Sequence, residues 1–230
     1  MIQLTKTIVG GMCLKILVFG ATGPTGQQIV NQGLELGYEM TAFVRNSDRL
    51  PISHPKLNII TGDVLDTKKV LNAVQGHGVV ISALGNGKSL KGNVFSVGTK
   101  NIVDAMEMSA CKRVIIMSAF GVDKSITEVP ILLKFIYKTL LKKTFDDKAL
   151  GEKYLKQSNL DWTLIHPVIL TNQLKSSTYQ FGENIDIGVI PKISRADVAE
   201  LMLKLVDDQT SIRQTIVISN YNGQRNLDTK

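Results

Sequence analysis

Apolar positions along the chain fall into short runs separated by amphipathic stretches. Leu14–Phe19, Met40–Val44, Leu57–Thr61 and Val79–Ala83 read as strands, with Thr25–Leu36 and Lys68–Val74 as helices between them. The runs Ile16-Leu17-Val18-Phe19, Val79-Val80-Ile81 and Val114-Ile115-Ile116-Met117 are continuously apolar rather than alternating. Strands of that kind belong in a parallel sheet covered by helices on both faces. The second half continues the rhythm with a helix over Val94–Met108 and a strand over Arg113–Met117. A helical region follows from about Ile131 to Gln157, then a strand over Asp161–Ile165. Ser194 is placed to cap a helix over Arg195–Val206, and Thr215–Ser219 reads as a last strand. Gly37 stands where a left-handed helix cap is wanted, and Gly76 and Gly78 frame the entry to the fourth strand. The pattern predicts an α/β fold with a doubly wound, mostly parallel sheet.

Between the first strand and the first helix lies Gly20-Ala21-Thr22-Gly23-Pro24-Thr25-Gly26, a GxxGxxG turn. The first glycine permits the tight exit from the strand, the second lets backbone amides approach a pyrophosphate, and the third lets the helix pack closely on the sheet. The helix N-terminus adds unpaired N–H groups and partial positive charge, and Thr22 and Thr25 add hydroxyls. A glycine triplet alone is a weak signal, but strand before, helix after and a second strand ending about 20 residues on are the context the motif requires. The turn therefore predicts a dinucleotide site in a Rossmann-type fold.

The end of the second strand selects the dinucleotide. An acidic residue there would accept bonds from the ribose hydroxyls of NAD and repel an added phosphate. This chain has Val44-Arg45-Asn46, with Arg49 one turn beyond. Two guanidinium groups can grip a 2′-phosphate in bidentate fashion, so NADP is the expected cofactor. Asp63 and Val64 after the third strand are candidates for the adenine edge. Ala83, Leu84 and Gly85 after the fourth would let backbone pass close to the ribose and diphosphate.

The combination of that turn with Val44-Arg45, Gly62-Asp63-Val64, Ser118-Ala119-Phe120 and Ser194-Arg195-Ala196-Asp197-Val198-Ala199 resembles the atypical short-chain dehydrogenase/reductase superfamily. Within it, the chain is most similar to the NAD(P)H-binding group that includes biliverdin IXβ reductase/flavin reductase and the NmrA-like proteins. The resemblance spans about Leu14 to Ser219. It implies an NADP site built from the elements above and a substrate lying over the nicotinamide near Ser118 and Pro167.

Many members of the superfamily use a Tyr-x-x-x-Lys pair, in which lysine lowers the tyrosine pKa for proton transfer to a carbonyl oxygen. Four residues after Tyr38, Tyr137, Tyr154, Tyr179 and Tyr221 stand Ala42, Leu141, Ser158, Glu183 and Arg225, so the pair is absent. Hydride transfer to a flavin or tetrapyrrole needs less acid–base help, because positioning two rings supplies most of the catalysis. Candidates near the chemistry are Ser118 at the end of the fifth strand, His166 beside Pro167 after the sixth, and Lys148 in the long helix. The biliverdin IXβ reductases carry a histidine two positions after the proline of that loop, where this chain has Ile169. Lys148 and Glu152 are spaced i,i+4, which equally suits a surface ion pair. Two functions follow as expectations: an NADPH-dependent reductase of flavin or another flat conjugated acceptor, and a non-catalytic NADP(H) sensor with a regulatory partner. A sugar-nucleotide epimerase fits poorly, since it would need the tyrosine and a larger substrate domain.

At 230 residues and 43% hydrophobic, the chain can bury one core, and no Pro-, Gly- or Ser-rich linker divides it. One domain over 14–230 with a small C-terminal, substrate-side elaboration is the economical reading. Residues 1–13 are expected to be a disordered extension, with Met12 as a candidate native start. The net charge of +7 suits an anionic partner but includes no recognisable nucleic-acid module. With only Cys13 and Cys111, neither a disulfide framework nor a four-ligand zinc site is available, and no metal is expected. No run reaches the roughly 18 apolar residues of a membrane span. A cytoplasmic monomer or homodimer is the expectation. The segment from Pro130 to Lys143 carries four lysines in an apolar run and could touch a membrane surface or cover the pocket.

Overall fold

The computed structural model describes residues 14–85, 92–122, 142–187 and 191–220. In chain order these form β1 (Lys15–Phe19), α1 (Pro24–Glu35), β2 (Glu39–Val44), β3 (Leu57–Thr61), α2 (Thr67–Val74), β4 (Val79–Ser82), α3 (Val94–Glu107) and β5 (Arg113–Met117). They continue with α4 (Lys142–Lys156), β6 (Asp161–Pro167), β7 (Ile169–Thr171), β8 (Tyr179–Gly182), β9 (Lys192–Ser194), α5 (Arg195–Lys204) and β10 (Gln214–Asn220).

Eight strands make one sheet in the order β3-β2-β1-β4-β5-β6-β10-β8, parallel except where β8 runs against β10. Period-2 alternation divides each central strand between two cores. Ile16 and Val18 of β1 pack with Ile29 and Val30 of α1 and with Leu201 and Met202 of α5. Leu17 and Phe19 face the other way, onto Val70 and Val74 of α2, Phe95 and Ile102 of α3 and Leu155 of α4. Burial on both faces is the reason these strands carry no polar alternation. β3, at the sheet edge, is the exception, with Ile59 exposed.

The order reverses between β1 and β4, the point where doubly wound sheets hold ligands outside the carboxyl ends of their strands. Gly37 has φ 88°, the left-handed conformation that its position after α1 requires. Ser194 Oγ caps α5 by accepting from Asp197 N at 2.9 Å.

Several boundaries and elements differ from expectation. α1 begins at Pro24, because a fixed φ suits the first helical position. β4 ends at Ser82, which leaves Ala83 in the loop. β6 runs through His166 and Pro167, which pair with Val217 and Ile218 of β10, so both residues belong to the strand and not to a loop after it. The short β7 and β9, which pair with each other, and β8 have too few residues to show a period. Residues 131–141 of the expected helical region, and most of the lysine-bearing segment from Pro130, lie outside the described residues, as do residues 1–13; the rest of that helical region forms α4. Lys142 and Lys143 open α4 and are exposed. Among the described residues, no helix is long and apolar enough to cross a membrane.

Candidate functional site

The glycine turn leaves β1 at Gly20, whose φ of 75° excludes most side chains. A Cβ there would stand 2.6 Å from the Ala83 carbonyl oxygen and 3.0 Å from the Leu84 amide nitrogen. The turn after β1 and the loop after β4 are therefore in backbone contact. A Cβ on Gly26 would stand 2.1 Å from the Gly20 carbonyl oxygen, so α1 can start this close to the strand only with glycine at that position. Gly23 N donates to Gly20 O at 3.0 Å and closes the turn.

Capping distinguishes α1 from α2 and α5. Asp66 caps α2 and Ser194 caps α5, but Gly23 offers no side chain and Pro24 no N–H. The first-turn amides of α1 are thus left for an anion, with the positive end of the helix dipole behind them. Thr22 is half-buried and Pro24 exposed beside this end, while Thr25 is buried. Cradle and uncapped helix together fit a dinucleotide pyrophosphate.

Arg45 and Arg49 are both exposed beyond the end of β2, where Asn46 holds a short 3-10 turn by accepting from Asp48 N at 2.9 Å. Among the described residues, neither arginine is paired with a carboxylate. Gln27 Nε2 reaches the Arg49 carbonyl at 3.5 Å, so this turn leans on α1. Asp63 Oδ1 accepts from Leu65 N at 3.0 Å and fixes the turn after β3. Val64 is buried, and its carbonyl accepts from Asn101 Nδ2 at 2.9 Å. Ala83 and Leu84 are buried against the glycine turn, with Gly85 exposed beside them. Pro167 O accepts from Phe120 N at 3.0 Å, which joins the ends of β5 and β6. All the expected cofactor residues therefore lie along one edge of the sheet.

Two of the three residues expected near the chemistry, Ser118 and His166, come together through Glu152. Ser118 and His166, each 3% exposed, share the alternation of Ile116 and Leu164 and face α4. Ser118 Oγ donates to Glu152 Oε1 at 2.6 Å, and His166 Nε2 meets the same oxygen at 2.8 Å. Lys156 Nζ donates to Glu152 Oε2 at 3.2 Å. Burial opposes ionisation of Glu152, but the His166 hydrogen bond and proximity, the Ser118 hydroxyl and Lys156 outweigh it and hold the carboxyl below its ordinary range.

Lys148 does not form the simple surface pair with Glu152 that its spacing allowed. Glu152 is engaged inward and takes Lys156 at i+4, while Lys148 Nζ lies 4.3 Å from the centroid of the Phe95 ring. Burial brings the Lys148 ammonium down to about 8, against the opposing pull of Glu152 and Asp147. Asp147 sets this geometry, because its carboxylate accepts from the backbone N–H of Phe95 at 3.2 Å and of Ser96 at 3.0 Å, capping α3 from α4. Gly151 completes the docking, since a Cβ there would stand 2.7 Å from the Phe95 ring. Sequence reading missed Glu152 as a hub; its only local sign is lysine at both i−4 and i+4.

Two other features stand apart from this edge. Burial pushes the Cys111 thiol up to about 11, which makes it a poor nucleophile. A cavity of about 330 Å³ lined by Glu107, Lys112, Asn159 and Leu160 opens where β5 and β6 begin, at the opposite end of the strands. Among the described residues, no group of three or more His, Cys, Asp or Glu side chains is placed to hold a metal ion.

The same architecture recurs in solved structures. ChuY, an anaerobilin reductase from Escherichia coli O157:H7, superposes with a TM-score of 0.77 at 21% identity, covering 92% of this chain and 100% of that one. A short-chain dehydrogenase/reductase from Veillonella parvula, solved in complex with NADP, gives 0.75 at 23% identity, with 92% and 96% covered. At those identities the likeness is one of fold. An uncharacterized chloroplastic protein of Arabidopsis thaliana is 28% identical over 215 residues, 89% of this chain and 76% of the relative. The model of a family described as NAD(P)H-binding matches residues 20–209, from the first glycine of the turn to beyond α5. An uncapped helix behind a glycine cradle at the sheet's reversal point is what that family would need, and the chain belongs to the NAD(P)H-binding family.

Proposed function

We propose that the chain is an NADPH-dependent reductase that passes hydride to flavin or another flat conjugated acceptor. The observation that carries this reading is the convergence on one sheet edge of the glycine cradle, Arg45 and Arg49, and the Ser118, His166 and Lys148 side chains. Bound there, the nicotinamide supplies the hydride.

The chain's own residues bind and orient. Arg45 and Arg49 pair with the 2′-phosphate of NADP and favour it over NAD. The amides of the α1 first turn hold the pyrophosphate, with Ala83, Leu84 and Gly85 alongside. Asp63 and Val64 border the adenine end, and Pro167 lines the nicotinamide end. Lys148 Nζ, with its ammonium brought down to about 8, can hold or release a proton near neutral pH. Without a Tyr-x-x-x-Lys pair, ordinary alcohol dehydrogenation is not the chemistry, and positioning of two flat rings carries the rate.

NADPH oxidation followed anaerobically with FMN, biliverdin and quinones tests this. Turnover with at least one is expected; micromolar NADPH binding with no oxidation by any acceptor would overturn it. One observation favours a second reading, a non-catalytic NADP(H) sensor: Ser118 and His166 are buried and engaged with Glu152. A sensor would bind NADP⁺ and NADPH with different affinities and turn neither over.

A further inference from the structure

Glu152 gathers side chains from three elements, yet the binding of cofactor described above does not use it. It is 2% exposed on α4, and its Oε1 serves both Ser118, just beyond β5, and His166, on β6. Lys156, one turn further along α4, holds Oε2, and Lys148 lies one turn before it. Asp147, the other carboxylate at this docking, is occupied by the amides of Phe95 and Ser96. An ionised carboxylate only accepts hydrogen bonds. The Ser118 hydroxyl must therefore spend its single hydrogen on Glu152, and His166 must carry a hydrogen on Nε2. What Ser118 has left for a ligand is lone pairs.

We propose that Glu152 is the positioning residue of this site, fixing His166 as the Nε2–H form and Ser118 as a hydrogen-bond acceptor toward whatever binds beside it. The inference rests on the reductase reading and narrows it. A serine so held cannot polarise a carbonyl oxygen by donating to it. The ligand group that meets Ser118 carries an N–H or O–H, as a carboxamide amino group or the ring N–H of a conjugated heterocycle does. The acceptor class is then one reduced without a donor from Ser118, as an electron-poor heteroaromatic ring is, rather than a simple ketone or aldehyde. The same carboxylate ties the carboxyl ends of β5 and β6 to α4.

The test uses the full chain with ¹⁵N-labelled histidine and the variants Glu152→Gln, Ser118→Ala and the double variant. His166 is identified by loss of its signals in His166→Gln. In the wild type, His166 should appear as the Nε2–H form, and Glu152→Gln should change that tautomer population. Turnover of the best acceptor should fall by about 100-fold in Glu152→Gln with KM for NADPH little changed, as expected when a distant support misplaces reacting groups. The double variant should be no worse than Glu152→Gln, because Ser118 acts through the residue already lost. An unchanged His166 tautomer, or losses that simply add, would overturn the proposal. If Glu152→Gln does not fold, Ser118→Ala decides: removing one of two donors to Oε1 should move the His166 Nε2 resonance, and an unmoved resonance overturns the proposal. Absence of turnover with every acceptor would count against the reductase reading, and the NMR result would still judge Glu152.

Discussion

A Cβ placed on Gly26 would stand 2.1 Å from the carbonyl oxygen of Gly20, so α1 and the end of β1 approach more closely than any other side chain permits. The obstacle is backbone, which cannot swing aside. Gly26→Ala should therefore push the first turn of α1 off the sheet and weaken NADPH binding by at least 10-fold at the cost of about 1–3 kcal/mol in stability. Fluorescence titration with NADPH and thermal melts measure the two effects; an alanine variant that binds normally would show that the cradle is not the anion site.

Among the described residues, Arg45, beyond β2, pairs with no carboxylate, so its charge is available to a phosphate. Replacing it by alanine should weaken NADPH binding about 10- to 100-fold, the worth of a charge-assisted hydrogen bond. NADH binding should be unaltered. Calorimetric titration of both nucleotides checks the ratio, and equal losses for both would remove Arg45 from the selection of cofactor.

Lys148 makes stability depend on pH in an alkaline window. Its ammonium titrates at about 8 in the folded chain and at 10.5 as a free side chain, so between those values the unfolded chain binds more protons. Stability from this residue therefore rises as pH climbs from about 8 to about 10.5, and is lost as pH falls through 8. Denaturant melts across that range should show a smaller rise for Lys148→Met than for the wild type. Identical slopes would mean that Lys148 is not desolvated.

Gly151 lets α4 lie against Phe95, and an alanine there would place its Cβ 2.7 Å from the ring. Gly151→Ala should destabilise the chain by about 1–3 kcal/mol. It should also disturb Lys148, which rests on the same ring. A melt within experimental error of the wild type would indicate that the ring rotates away at no cost.

Asp197, 1% exposed in the first turn of α5, accepts from the backbone N–H of Ser176 and Ser177 and from the hydroxyls of Ser176 and Ser194. It thereby fastens the exposed segment between β7 and β8 to the helix. Asp197→Ala should cost about 3 kcal/mol and leave this segment open to proteolysis, because charged acceptors bind their donors more strongly than neutral ones. Limited digestion with a protease that cleaves at Lys175 reads the effect directly, and an unchanged cleavage rate would refute it.

The central strands, the glycine turn and the caps at Gly37 and Ser194 were legible in the sequence because each depends on residues adjacent along the chain. A strand buried on both faces needs an unbroken apolar run, and a turn that admits pyrophosphate needs glycines at fixed spacing. Short elements were not legible: β7 and β9 have three residues each, too few to display a period. Nor was the partner of Lys148. Spacing offered Glu152, but the docking of α4 on α3 through Asp147 and Gly151 set Lys148 over Phe95 and turned Glu152 inward. Ser118 and His166 could be named from the strands they end, but their union could not. They lie 34 and 14 residues from Glu152, and only the side-by-side order of β5 and β6 under α4 brings all three within hydrogen-bond reach. Local backbone preference is written into neighbouring residues, whereas a buried polar contact between distant ones exists only once the sheet has chosen its order and the helix its seat.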